Sequence, residues 1–130
     1  MSLVNNFYKV AEQLGVHKND IYEEKGDGFV LIAFGEEVSE SSVYNVALVF
    51  YDNNDDVEVY IKKEILSNDE FTVLKKLNEM NAEYCGVSFY MENSALVSKS
   101  FCRTNGKIDV ALAQMTQNME VTKKEFSKIN

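Results

Sequence analysis

Apolar and polar residues alternate along this chain with two periods, and the points where the period changes mark its elements. Val4, Phe7, Tyr8, Ala11 and Leu14 recur every three or four positions, one face of a helix, and Gly15 follows where a helix commonly stops. Ile21 and Tyr22 open a short strand before the Gly26-Asp27-Gly28 turn. Phe29 to Phe34 is an unbroken apolar run between glycines, the pattern of a strand covered on both faces and central in its sheet. Glu36 to Ser42, acidic, serine-rich and aperiodic, is expected as an exposed loop. Val46, Leu48 and Phe50 then alternate with other residues, and Val57, Val59 and Ile61 alternate back. A two-residue turn at Asn53-Asn54 sets Phe50 against Val57, Leu48 against Val59 and Val46 against Ile61, so the apolar sets of this hairpin match.

The next stretch changes period twice. Ser67 with Glu70 forms a capping box, which starts a helix near Asn68 whose apolar face holds Phe71, Leu74, Leu77, Met80 and Tyr84. Gly86 permits a sharp exit, and Val87, Phe89 and Met91 alternate as a half-buried strand. A second strand returns through Val97 and Phe101. Two registers are open for this hairpin. A two-residue turn at Asn93-Ser94 opposes Phe89 to Ser98 and Val87 to Ser100, and brings Cys85 opposite Cys102. A three-residue loop instead puts Val97 and Phe101 on the face of Val87, Phe89 and Met91, with Lys99 on the buried side. The sequence favours this odd-length loop, because a slip of one residue sends every side chain to the other face. A long helix from near Gly106 closes the chain, with Ile108, Ala111, Leu112, Met115, Met119, Thr122, Phe126 and Ile129 on one stripe. That stripe reads as core, and as the alternative its pliant Met115 and Met119 form a partner groove or a homodimer seam.

Composition narrows the class. At 130 residues the chain fits one domain, residues 1–130, able to bury about two thirds of its unfolded surface without disulfides or metals. No apolar run approaches the roughly 18 residues that span a bilayer, and the first residues lack a secretory pattern, so a cytoplasmic location without membrane association is the default expectation. In a reducing compartment Cys85 and Cys102 are expected as free thiols. The net charge of −8 argues against nucleic acid, which is held by neutralising its phosphates. Eleven carboxylates face Lys25 alone between Asn19 and Ile61, whereas from Lys99 onward six basic residues outnumber three acidic ones. An acidic face of this kind is a solvated surface or a landing site for a basic partner.

The search for chemistry returns nothing specific. Asp52-Asn53-Asn54-Asp55-Asp56 begins like a calcium loop, but Val57 stands where glycine is needed and Lys63 where a bidentate glutamate is needed. Gly35 has no companion glycines for a phosphate loop. His17, the lone histidine, is expected in an exposed loop, with no nucleophile signature near it. No catalytic, cofactor-binding or metal-ligating residue can be assigned, no cofactor is implied, and no enzyme is expected.

The order helix, antiparallel strands, helix, hairpin, long helix resembles the YbjN family of small acidic bacterial proteins. The resemblance is carried by LKKLNEMN at Leu74 to Asn81, by VSFYMENSALVSKSF at Val87 to Phe101, and by the helix from Lys107 onward. It implies a fold like that of the type III secretion chaperones, which are commonly homodimers, and a sensory transduction regulator or chaperone without catalysis. The fold expected is α+β: an antiparallel sheet of five or six strands flanked by helices, in the order α-β-β-β-β-α-β-β-α. The function expected is a cytoplasmic protein-binding module of chaperone-like or regulatory type, with an unidentified protein partner and a possible homodimer. The alternative is a small-molecule sensor with a pocket between sheet and helices, lined by residues such as Phe34, Phe89 and Met115.

Overall fold

A computed structural model describes residues 2–13, 15–39, 42–52, 55–65 and 69–129. Helix α1 (Ser2–Gln13) leads through a short 3-10 turn (Lys18–Asp20) into strands β1 (Tyr22–Gly26), β2 (Phe29–Ser39), β3 (Ser42–Tyr51) and β4 (Asp56–Glu64). Helix α2 (Glu70–Glu83), strands β5 (Val87–Glu92) and β6 (Ala95–Arg103), and helix α3 (Ile108–Phe126) complete the chain. The six strands form one antiparallel sheet in the order β1-β2-β3-β4-β6-β5. The α+β class and the order of helices and strands are those expected.

The β3–β4 hairpin has the register that its apolar alternation demands: Phe50 opposes Val57, Leu48 opposes Val59 and Val46 opposes Ile61. Its turn at Asn53-Asn54 lies outside the described residues. These side chains, with Ile32 on β2 and Leu96 on β6, are fully buried on one face of the sheet. All three helices pack there. Phe7 of α1 lies against Phe34 and Phe50 at ring separations of 6.2 and 6.1 Å. Phe126 of α3 lies between Tyr44 and Phe89 at 6.4 and 6.0 Å. Tyr84, just past α2, meets the other edge of Phe89 at 5.9 Å.

Several local expectations are corrected. The run Phe29 to Phe34 is not covered on both faces: Val30 and Ile32 face the core, whereas Leu31 and Ala33 lie on the helix-free side and are only half-buried. The described part of Glu36 to Ser42 is strand and not loop, since β2 runs on to Ser39 across a bulge at Glu37/Ser39 and β3 begins at Ser42, while Glu40 and Ser41 lie outside the described residues. Backbone pairing with β3 carries Glu36, Glu37 and Ser39, which lack apolar alternation. The α2 cap is Asp69, whose side chain accepts from the Phe71 amide at 3.3 Å and the Thr72 hydroxyl at 2.7 Å, while Ser67 and Asn68 lie outside the described residues. Helix α2 buries Val73, Leu77 and Met80, and its Phe71 and Leu74 face solvent.

The β5–β6 hairpin takes the register that the sequence disfavoured. Met91 opposes Leu96, Phe89 opposes Ser98 and Val87 opposes Ser100, around a two-residue turn in which Asn93 adopts a φ of 56°. Asparagine tolerates that left-handed conformation. Val97, Lys99 and Phe101 therefore lie on the helix-free face, where Lys99 Nζ sits 2.9 Å from Glu58 and 5.4 Å from the Tyr60 ring centre. Cys85 and Cys102 are free, because Gly86 (φ 85°) turns the chain before the ladder reaches Cys85.

Ser98 and Ser100 do not waste the core face. Both are buried, and α3 brings Asn118 and Thr122 over them. Asn118 Oδ1 accepts from the Ser98 and Thr122 hydroxyls, both at 2.9 Å, while its Nδ2 donates to Ser100 Oγ at 2.9 Å and reaches the Val59 carbonyl at 3.4 Å. Ser98 and Thr122 Oγ atoms are 2.8 Å apart. Among the described residues no buried side-chain nitrogen or oxygen lacks a partner. A polar cluster of this kind is stable inside a core because each member is satisfied.

Two further ties position the helices. The Asn81 side chain meets the Phe89 backbone in both directions, accepting from its amide and donating to its carbonyl, each at 2.8 Å. This is the last residue of the LKKLNEMN stretch, and the contact ties α2 to β5. Lys63, on the core face of β4, donates to the Phe126 and Ile129 carbonyls at 3.2 Å and so caps the end of α3, where a cation complements the helix dipole. Burial holds its ammonium below the ordinary lysine range.

At the α2–α3 junction the Tyr84 hydroxyl donates to Glu125 Oε2 at 2.7 Å, and Lys128 Nζ lies 3.2 Å from Oε1. The Tyr84 bond holds the Glu125 carboxyl below its ordinary range against the opposing effect of burial, with Lys128 adding to it. The same bond pushes Tyr84 up to about 12. A carboxylate with a depressed pKa stabilises the fold above its unfolded value and loses that contribution as pH falls through the folded one. Tyr84→Phe is therefore expected to be less stable than the parent near pH 6 and to lose less stability on acidification, so that the urea midpoints of the two converge between about pH 6 and pH 3. A gap between variant and parent that stays constant across this range would contradict this linkage.

Candidate functional site

The stripe on α3 is longer than the surface that the other elements offer it. Near its C-terminal end Asn118, Met119, Thr122 and Phe126 are buried, but one and two turns earlier Leu112 and Met115 are only half-covered. Helix α1 buries Val4, Phe7 and Ala11 of the face that its spacing predicts, together with Leu3, while Tyr8 is half-buried and Leu14 lies outside the described residues. Between α1 and α3 the sheet is left partly uncovered, and a cleft of about 630 Å³ opens there.

Its walls come from both ends of the chain. Phe7, Val10 and Ala11 stand on α1, and Leu112, Met115 and Met119 on α3; Phe34 and Val46 form the floor from β2 and β3. Val16 closes one end, beyond Gly15, whose φ of 84° turns the chain out of α1. The rim is charged. Asp20 of the 3-10 turn, Glu36 of β2, and Glu120 and Lys123 of α3 line it with their side chains exposed or half-exposed, as does exposed Thr116, one turn before Glu120. Lys123 Nζ lies 3.9 Å from Glu36 Oε1, and both side chains are about 40% exposed.

This arrangement can bind, through an apolar interior and a polar entrance, the usual form of a ligand site. The three positions named for a sensor pocket separate: Phe34 and Met115 meet in the cleft, whereas Phe89 is enclosed between Tyr84 and Phe126. The α1 wall and the acidic rim were not marked as a site by the sequence. The signal available was the half-empty α3 stripe around Met115. Among the described residues no group of three His, Cys, Asp or Glu comes together to hold a metal ion, and no helix is long and apolar enough to cross a membrane.

An antiparallel sheet with its helices gathered on one face, and a cleft between the first and last of them, defines an α+β protein with a YbjN-like fold. It resembles the solved structure of YbjN from E. coli, described as a candidate transcription regulator: TM-score 0.59 at 12% identity, covering 94% of this chain and 87% of that one. At the level of sequence no family model and no curated protein matches the chain.

Proposed function

We propose that this protein is a non-catalytic binding module of regulatory or chaperone-like type, which takes an apolar segment of a protein partner into the cleft between α1 and α3. The observation that carries this reading is the cleft itself: about 630 Å³, walled by Phe7, Phe34, Leu112 and Met115. Methionine side chains fit several shapes, which suits a segment-binding groove. The likeness in fold to a candidate transcription regulator is consistent with a regulatory role but names no partner.

A photo-crosslinking side chain at exposed Thr116, on the rim, is expected to form partner adducts that disappear when Met115→Asp places a charge in the groove. The same probe at Ser88, exposed on the helix-free face, forms none of them. Adducts that survive Met115→Asp, or none at Thr116, overturn the reading. The cleft volume also falls within the range of about 300–1,000 Å³ typical of small-molecule sites, which favours a metabolite sensor as the second reading. In that case a metabolite raises the Tm of the parent protein and leaves that of Met115→Asp unchanged.

A further inference from the structure

We infer that the segment filling this cleft carries lysine or arginine directly beside its apolar side chains; this rests on the proposed function above. Among the described residues, the lining holds three carboxylates, Asp20, Glu36 and Glu120, against one ammonium, Lys123. They come from three separate segments: the turn after α1, the second strand and the last helix. The negative charge is thus gathered around an apolar opening by the fold, which differs from a run of acidic residues solvated along one helix.

Complementarity follows from the cost of covering such a rim. A neutral or acidic segment seated on the apolar floor strips water from the carboxylates and returns nothing to them. A basic one returns charge-assisted hydrogen bonds and is steered toward the opening before contact. Lys123 already plays the cation's part for Glu36. At 3.9 Å, with both groups exposed, the pair is loose and exchangeable, and an incoming basic side chain can take its place.

The test selects randomised twelve-residue displayed peptides on the full chain and discards those that still bind Thr116→Trp, in which an indole blocks the mouth. Thr116 is exposed, so this variant is expected to fold, which circular dichroism checks. Peptides that require an open cleft are expected to be enriched in Lys and Arg next to apolar residues. The triple variant Asp20→Asn, Glu36→Gln, Glu120→Gln is expected to weaken a selected synthetic peptide about tenfold and to flatten its salt dependence. Lys123→Gln, which removes the competing cation, is expected to tighten it.

Cleft-dependent peptides without a basic bias, or with affinities indifferent to the triple variant, overturn this inference and leave the cleft reading intact. If no peptide depends on an open mouth, both fall. Sedimentation showing a dimer that Thr116→Trp dissociates would assign the cleft to a second copy of the chain and overturn both as well.

Discussion

Asn118→Ala is expected to lower the free energy of unfolding by about 3 kcal/mol, a large fraction of the stability of a protein this size. The side chain is fully buried and serves two strands at once, accepting from Ser98 and donating to Ser100. Truncation leaves Ser100 Oγ without that donor and opens a cavity where water had no place. A buried polar group left unpaired costs about 1–3 kcal/mol, to which the lost packing adds. Thr122 still reaches Ser98, so the network is broken and not erased. Replacing the whole set together, with Ser98→Ala, Ser100→Ala, Asn118→Leu and Thr122→Val, is expected to restore most of the loss, because no orphaned group remains. Urea unfolding measures both. A loss under about 0.5 kcal/mol for Asn118→Ala, or a combined variant worse than the single one, would show that the cluster does not act as a unit.

Phe126→Ala is expected to cost about 3–5 kcal/mol and to lower Tm by about 10–15 °C. Its ring is fully buried near the C-terminal end of α3, with Tyr44 on one side and Phe89 on the other, so it joins the third strand to the fifth through the helix. Two other phenylalanines serve as controls. Phe71 on α2 is 75% exposed and Phe101 on β6 is 52% exposed, and alanine at either is expected to change stability by no more than about 0.5 kcal/mol. Calorimetry on the three variants separates them. Equal losses at positions 71 and 126 would contradict the packing described.

The same pair of helices shows what a sequence can and cannot convey. For α1, α3 and the β3–β4 hairpin, periodicity and packing agree, since their apolar positions face the core or the cleft, and the polar residues that join them there, Lys63 on β4 with Asn118, Thr122 and Glu125 on α3, all find partners. At β5–β6 that agreement fails for a definite reason. Ser98 and Ser100 count as polar in an alternation pattern, yet they face the core because α3 supplies their partners. The information that fixes this register lies about 20 residues away on another element. Thr122 already stood on the predicted stripe, and Asn118, one turn earlier, was the missing half of the signal. On α2, Phe71 and Leu74 have the right spacing for a buried face, but the face that packs is that of Val73, Leu77 and Met80, from which Leu74 and Phe71 stand about 100° and 160° round the helix. The cleft was illegible for the same kind of reason: it depends on how far apart α1 and α3 settle on the sheet.

The grip of Asn81 on Phe89 has a bearing on how this protein avoids its own kind. Those two hydrogen bonds occupy the outward-facing amide and carbonyl of an edge strand, the rung on which a seventh strand would begin to pair. At the opposite edge β1 presents Glu23, Glu24 and Lys25, all exposed. A strand laid against either end of the sheet thus meets a blocked rung or a row of charge, and edge-to-edge growth into fibrils is discouraged from both sides.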